Sequence, residues 1–222
     1  GKVAVELFLA GHATRLNDHL RERNRQAQPL YFTDFWEVAE IFQHDPTKRL
    51  GDLDYELPDD RLKGIGLGER QLLALHIQVS ELADEATLAR LPIIAHLNRE
   101  VEDHVIRDLM EHDFYGLNPE RLIFMSEPNL HGFTLREVNG LTFVLDEHSA
   151  RYPYNHGYAV MRMSWPGEAY TVDRQGHKHR FSESALDRLL AWEVRLMATN
   201  RMNDMDRLIP ERVLDVDALA FS

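Results

Sequence analysis

Residues Pro92 to Pro128 read PIIAHLNREVEDHVIRDLMEHDFYGLNPERLIFMSEP, and their pattern decides the fold. Pro92-Ile-Ile-Ala-His-Leu97 is short, apolar and β-branched, as a buried strand is. Asn98 follows and is suited to cap a helix. Val101, Val105, Ile106, Leu109 and Met110 then recur at helical spacing on one face. Gly116 supplies a stop, and Asn118-Pro119 turns the chain. Leu122 to Met125 is a second apolar strand. Strand, helix, strand at this spacing is a βαβ unit, which implies parallel strands joined by a crossover. In such sheets ligands gather at the carboxyl ends of the strands, here near Asn98 and Ser126-Glu127.

The chain of 222 residues is long enough for a sizeable core. It is 44% hydrophobic and 28% charged, an ordinary globular composition. No apolar run reaches the roughly 20 residues that span a bilayer. Val3 to Ala10 lacks the basic flank and cleavage site of a secretory signal, so the cytoplasm is the expected compartment. Without cysteine there is neither a disulfide framework nor a thiolate metal site. The net charge of −12 argues against nucleic acid and anionic membranes as partners, since both need a basic face. It leaves room for a small anion, which one Arg and a few backbone N–H groups can hold.

Outward from the central unit, Val3 to Leu9 reads as a strand interrupted by Glu6. It runs into Ala10-Gly-His-Ala-Thr-Arg-Leu16, a small-residue turn with Thr14 and Arg15. That arrangement suits either a phosphate loop or a plain strand-to-helix turn. The aromatic run Tyr31, Phe32, Phe35 and Trp36 fits a core. The acidic stretch Asp45 to Gly68 fits a solvated loop. Glu69 to Glu81 is an amphipathic helix. Asn139-Gly140 between two apolar runs is a strong hairpin signal over Phe133 to Leu145. Glu147 to Gly157 reads as loop and Tyr158 to Trp165 as a short helix. A second hairpin turns at Gln175-Gly176, Ser184 to Trp192 is helical, and Val194 to Thr199 is a last strand.

Four pieces, in order, resemble the UTP–hexose-1-phosphate uridylyltransferases, or UDP-sugar pyrophosphorylases. His112-Asp-Phe-Tyr-Gly-Leu117 ahead of Leu122-Ile-Phe-Met125 is similar to the family's strand–helix–"FGL"–strand unit. Phe8-Leu-Ala-Gly-His-Ala-Thr-Arg-Leu16 looks like its nucleotide loop. Tyr152-Pro-Tyr-Asn-His-Gly157 is similar to its base-contacting loop, and Asn203-Asp204 stands where its metal motif falls. The resemblance implies an α/β fold, a three-layer sandwich around a mostly parallel mixed sheet with hairpin insertions. It implies a single Rossmann-like nucleotidyltransferase domain over residues 1–222, expected to be incomplete at its C-terminus. It also implies transfer of a uridylyl group from UTP to a sugar 1-phosphate, with Mg²⁺.

Residue by residue, the resemblance makes Arg15 the catalytic cation. Gly11, His12, Ala13, Thr14, Asn155, His156 and Gly157 become nucleotide contacts, and Asp204 and Asp206 the Mg²⁺ ligands; Asn98 and Glu127 join the nucleotide contacts from their place at the strand ends. Each has a plainer role open to it: ion pair, loop residue or helix cap. The chain departs from the family at three points. The nucleotide loop is one residue short, Ala13 replaces a Gly, and Asn155 replaces another. A Cβ at position 13 hinders close approach of a phosphate to the backbone. A non-catalytic nucleotide-sugar-binding relative is therefore an alternative. A metal-dependent phosphohydrolase using His44-Asp45 and His112-Asp113 is a weaker one, because the helical spacing of paired ligands is missing.

Overall fold

A computed structural model describes residues 2–9, 31, 66–137, 140–149, 151–153 and 156–201. Strand β1 (Val3–Phe8) is followed by helix α1 (Leu67–Leu82), a short helix α2 (Glu85–Leu88) and β2 (Ile93–Asn98). Helix α3 (Glu102–Glu111), a left-handed turn over Asp113–Gly116 and a 3₁₀ turn over Pro119–Arg121 lead into β3 (Leu122–Glu127). Then come β4 (Asn129–His131), β5 (Phe133–Glu137), β6 (Leu141–Leu145), β7 (Arg151–Pro153) and α4 (His156–Arg162). The last described elements are β8 (Ala169–Val172), β9 (Lys178–Arg180), α5 (Ala185–Ala191) and β10 (Leu196–Arg201).

Six strands form one sheet in the order β10-β1-β2-β3-β8-β9. The first four are mutually parallel, while β8 and β9 are antiparallel additions. Strands covered on both faces read as continuous apolar runs, as β2 does. On one face Val5, Leu7, Ala95, Leu97 and Phe124 meet Leu72, Leu75 and Val79 of α1 and Val105 and Leu109 of α3. On the other, Ala4, Ile94, Ile123 and Met125 meet Met163 beyond α4 and Ala185 and Leu189 of α5. The result is the expected three-layer α/β sandwich around a mostly parallel mixed sheet. Both hairpins form, over Phe133–Leu145 and Ala169–Arg180.

Two details differ from the sequence reading. Helix α3 starts at Glu102, later than a cap at Asn98 would place it. Asn98 ends β2, and its Oδ1 accepts the backbone N–H of Glu100 at 3.0 Å and of Val101 at 3.1 Å. The side chain thus closes the turn between strand and helix, a local bond that Asn makes readily outside helices. Within the stretch read as loop, β7 pairs antiparallel with β4, with Asn129 opposite Pro153. Three-residue strands carry too little pattern to stand out from a loop.

Candidate functional site

The carboxyl ends of β10, β1, β2 and β3 lie along one edge of the sheet, because the four strands run parallel. This is the edge at which parallel sheets hold ligands. Asn98 and Glu127 are register partners on neighbouring strands and share the α4/α5 face. Both are buried. Glu127 Oε2 has no hydrogen-bond partner. Burial pushes the Glu127 carboxyl up to about 7, against the pull of the Arg162 guanidinium.

Arg162 is itself buried. One guanidinium nitrogen, Nη1, donates to the Ser126 carbonyl at 3.0 Å, and Nη2 pairs with Glu168. A cation is thus fixed at the carboxyl end of β3, one residue from Glu127. No motif marked Arg162; it is the last residue of α4, within the stretch read from sequence as a short helix over Tyr158 to Trp165. Since Pro153 lies opposite Asn129, β7 delivers the chain toward α4 beside the same end of β3. Helix α4 opens at His156, with Gly157 exposed at its second position.

Beneath the rim on the same face runs a second buried polar set. His96 Nε2 lies 2.8 Å from Glu6 Oε1, and both side chains are buried. Thr199 donates to Glu6 Oε2 at 2.7 Å, tying β10 to β1. The His96 ring stacks on Phe8 with centroids 4.6 Å apart. Glu6 therefore does more than interrupt an apolar strand: it joins three neighbouring strands just below their carboxyl ends.

The other end of the sheet is arranged differently. Asp113, Phe114, Tyr115 and Gly116 all have positive φ, between 47° and 76°. A Cβ on Gly116 would stand 2.5 Å from His76 Cε1, so this position requires glycine. The Tyr115 hydroxyl lies 2.8 Å from both Glu69 Oε1 and Asp108 Oδ2, and Tyr31 donates to Asp108 at 2.8 Å. Glu69 also accepts the Gly66 N–H. Ligand atoms of Glu69, Asp108 and His112 lie within 4.8 Å of one another, a spacing a cation would tolerate. The two carboxylates are, however, already engaged by phenols and backbone. The group also sits at the C-terminal end of α3, which leads to the amino end of β3, away from the rim. His112 Nδ1 lies 2.9 Å from the Asp108 carbonyl, so this His-Asp dipeptide serves to end a helix.

Of the residues expected at a nucleotide site, Asn98 and Glu127 come together at one rim. His156 and Gly157 open the helix that follows beside them. Gly11, His12, Ala13, Thr14, Arg15, Asn155, Asp204 and Asp206 lie outside the described residues, as does His44-Asp45. The strands that precede two of those groups end at Phe8 and Arg201, which are register partners.

No protein-family model matches the chain, and no curated protein matches it in sequence. Solved structures do. The chain is similar to the uridine diphosphate N-acetylglucosamine pyrophosphorylase of Trypanosoma brucei, solved in complex with an inhibitor, at 12% identity and TM-score 0.53. That match covers 96% of this chain and 34% of the other. It is also similar to an Entamoeba histolytica protein assigned as a UDP-N-acetylglucosamine pyrophosphorylase, at 15% identity and TM-score 0.50, over 99% of this chain and 43% of that one. This chain spans less than half the length of either. The likeness is one of fold, shared with these two structures.

Proposed function

We propose that the chain binds a uridine nucleotide at the carboxyl rim of β1, β2 and β3, and serves uridylyl transfer from UTP to a sugar 1-phosphate. The observation that carries this reading is the Glu127 carboxyl, buried beside Asn98 with one oxygen unpartnered. A buried oxygen without a hydrogen bond costs about 1–3 kcal/mol, which a partner from outside the chain offsets. A protonated carboxyl offers a donor and an acceptor side by side, as an amide does. The imide edge of uracil, with N3–H beside a carbonyl, is its complement. The backbone at His156 and Gly157 would complete the base site.

The reaction is attack by a sugar-phosphate oxygen on the α-phosphorus of UTP. The new P–O bond gives the UDP-sugar, and the bond from the α-phosphorus to the α–β bridging oxygen breaks, its electron pair leaving on pyrophosphate. Such chemistry is mostly positioning and charge neutralisation. Arg15 would neutralise the triphosphate. Asp204 and Asp206 would hold Mg²⁺, whose contribution is to screen the charge on the phosphate oxygens. The fold of the two solved pyrophosphorylases supports the reading.

A thermal-shift series tests it, with UTP plus Mg²⁺, UDP-N-acetylglucosamine, ATP and buffer. At one hundred times Kd a ligand adds about 2.7 kcal/mol, which raises Tm by roughly 5–10 °C for a chain of this size. Stabilisation by uridine compounds over ATP, lost in Glu127→Ala and kept in Glu127→Gln, is expected. No shift with any uridine compound defeats the proposal. Ala13 favours one second reading, binding without turnover. Nucleotide stabilisation without pyrophosphate release, across a panel of sugar 1-phosphates, would establish it. A shift with Mn²⁺ or Zn²⁺ alone would point to the phosphohydrolase instead.

A further inference from the structure

The hairpin of β5 and β6 stands apart from the body of the fold. Among the described elements its strands pack chiefly on one another. Its root is pinned by Asp146 N–H to the Gly132 carbonyl at 2.8 Å and by Gly132 N–H to Ser149 Oγ at 2.6 Å. Side chains alternate across a strand, so Phe133 and Leu135 share one face with their register partners Leu145 and Phe143. Leu141, opposite Glu137, completes that face. These five large apolar residues are between 48% and 80% exposed. The reverse face carries Thr134, Arg136 and Thr142, with Val144 opposite Thr134 and half-buried near the root. The pattern is that of a sheet with a wet side and a core side, and nothing described covers the core side.

We propose that this face binds the same face of a second copy of the chain, around a two-fold axis. A two-stranded hairpin alone is marginally stable in water. Two of them stacked about 10 Å apart make a small four-stranded sandwich with a shared core. A face that is apolar along both strands is self-complementary, which a two-fold contact requires. Side chains of this size bring on the order of 500 Å² from each copy. The total of roughly 1,000 Å² sits at the lower limit of a biological interface, so the dimer is weak and concentration-dependent. Among the described residues the only charge on the face is Glu137, so no salt bridge between those residues holds the copies together. The net charge of −12 on each copy opposes association, and salt screens that repulsion beyond a Debye length of about 10 Å at 0.1 M. Added salt therefore strengthens the dimer, the reverse of an ion-paired contact.

Sedimentation equilibrium of the 222-residue chain from low to high micromolar concentration tests this. The mass is expected to rise from 25.8 kDa toward twice that value, at lower concentration in higher salt. Phe143→Asp should hold the mass at the monomer throughout, with an unchanged far-ultraviolet circular dichroism spectrum. Leu135→Ser, a milder change, should shift the midpoint upward in concentration by tenfold or more. Amide exchange over 133–145 should slow as the wild-type protein is concentrated. A wild-type chain that stays monomeric overturns the proposal. So does a dimer indifferent to Phe143→Asp, which places the contact elsewhere. Protection of 133–145 in the dilute monomer overturns it as well, because the chain's own residues then cover the face.

Discussion

The two ends of the parallel strands treat their acids in opposite ways. At the amino end of β3, Glu69 and Asp108 are met by Tyr115, Tyr31 and a backbone N–H, and every acid oxygen contact is internal. At the carboxyl end Glu127 keeps an unpartnered oxygen, and a fixed cation stands one residue away in Arg162. The amino end carries backbone strain instead, with three non-glycine residues at positive φ, each costing about 1 kcal/mol or more. Strain alone would mark it as the functional end. The hydrogen bonds account for it within the chain: that strain is offset locally, by burial of Phe114 and by the Tyr115 hydroxyl. Among the acids, an imbalance left open, more than one closed internally, is what points to a ligand; at the amino end the unpartnered buried atom is His76 Nδ1, beside Gly116.

The comparison breaks most readily at Gly116. Gly116→Val puts a β-branched side chain at φ 76° and its Cβ against the His76 ring. Urea unfolding should show a loss of roughly 3 kcal/mol or more. The double variant with His76→Ala should recover the steric part and leave the conformational part. Full stability in the single variant would mean that the turn is not left-handed there.

Glu127 gives the next largest effect. Its carboxyl is raised to about 7, above the ordinary value of 4.5. Between those two values the folded chain binds more protons than the unfolded chain, so stability falls as pH rises. The contribution is fully present below about 4.5 and lost through about 7, at most about 3 kcal/mol. Denaturant midpoints measured from pH 5 to 8 should drop in the wild type and run flatter in Glu127→Gln. Equal slopes would show the carboxyl to be solvated. Tyr115→Phe comes third. It strips the phenol from two part-buried carboxylates and should cost about 1–3 kcal/mol with no change in the pH slope.

How far each end could be read from sequence follows from the range of the interactions. The βαβ unit was legible because its signals are local: an apolar run, a 3.6-residue stripe, a turn. Asn98 and Glu127 were legible as rim residues because the strand ends were. The pairing of Glu6 with His96 spans 90 positions, and the link to Thr199 spans 193, so neither leaves a periodic trace. Arg162 was missed for the same reason: its partners are a carbonyl 36 residues back and a nearby acid on a loop. The left-handed run Asp113 to Gly116 was hidden because one glycine announces one positive φ, not four. The nucleotide loop and metal motif rest on resemblance, with Arg15, Asp204 and Asp206 outside the described residues.

The smallest effect sharpens the comparison most. Asn98→Asp keeps the acceptor that closes the turn to Glu100 and Val101, so the change in stability at pH 5 should stay within about 1 kcal/mol. Yet it sets a second carboxylate beside Glu127, on a neighbouring strand about 4.8 Å away. Two acids at that separation resist joint ionisation, so the pair should titrate in two steps, the upper one above the wild-type midpoint near 7. The pH at which stability falls should therefore move upward, and it should do so only while Glu127 is present. In the double variant with Glu127→Gln the upper step should vanish. An upper midpoint that survives Glu127→Gln would mean that the rim acids do not share one environment, and the base site built on their proximity would fall with it.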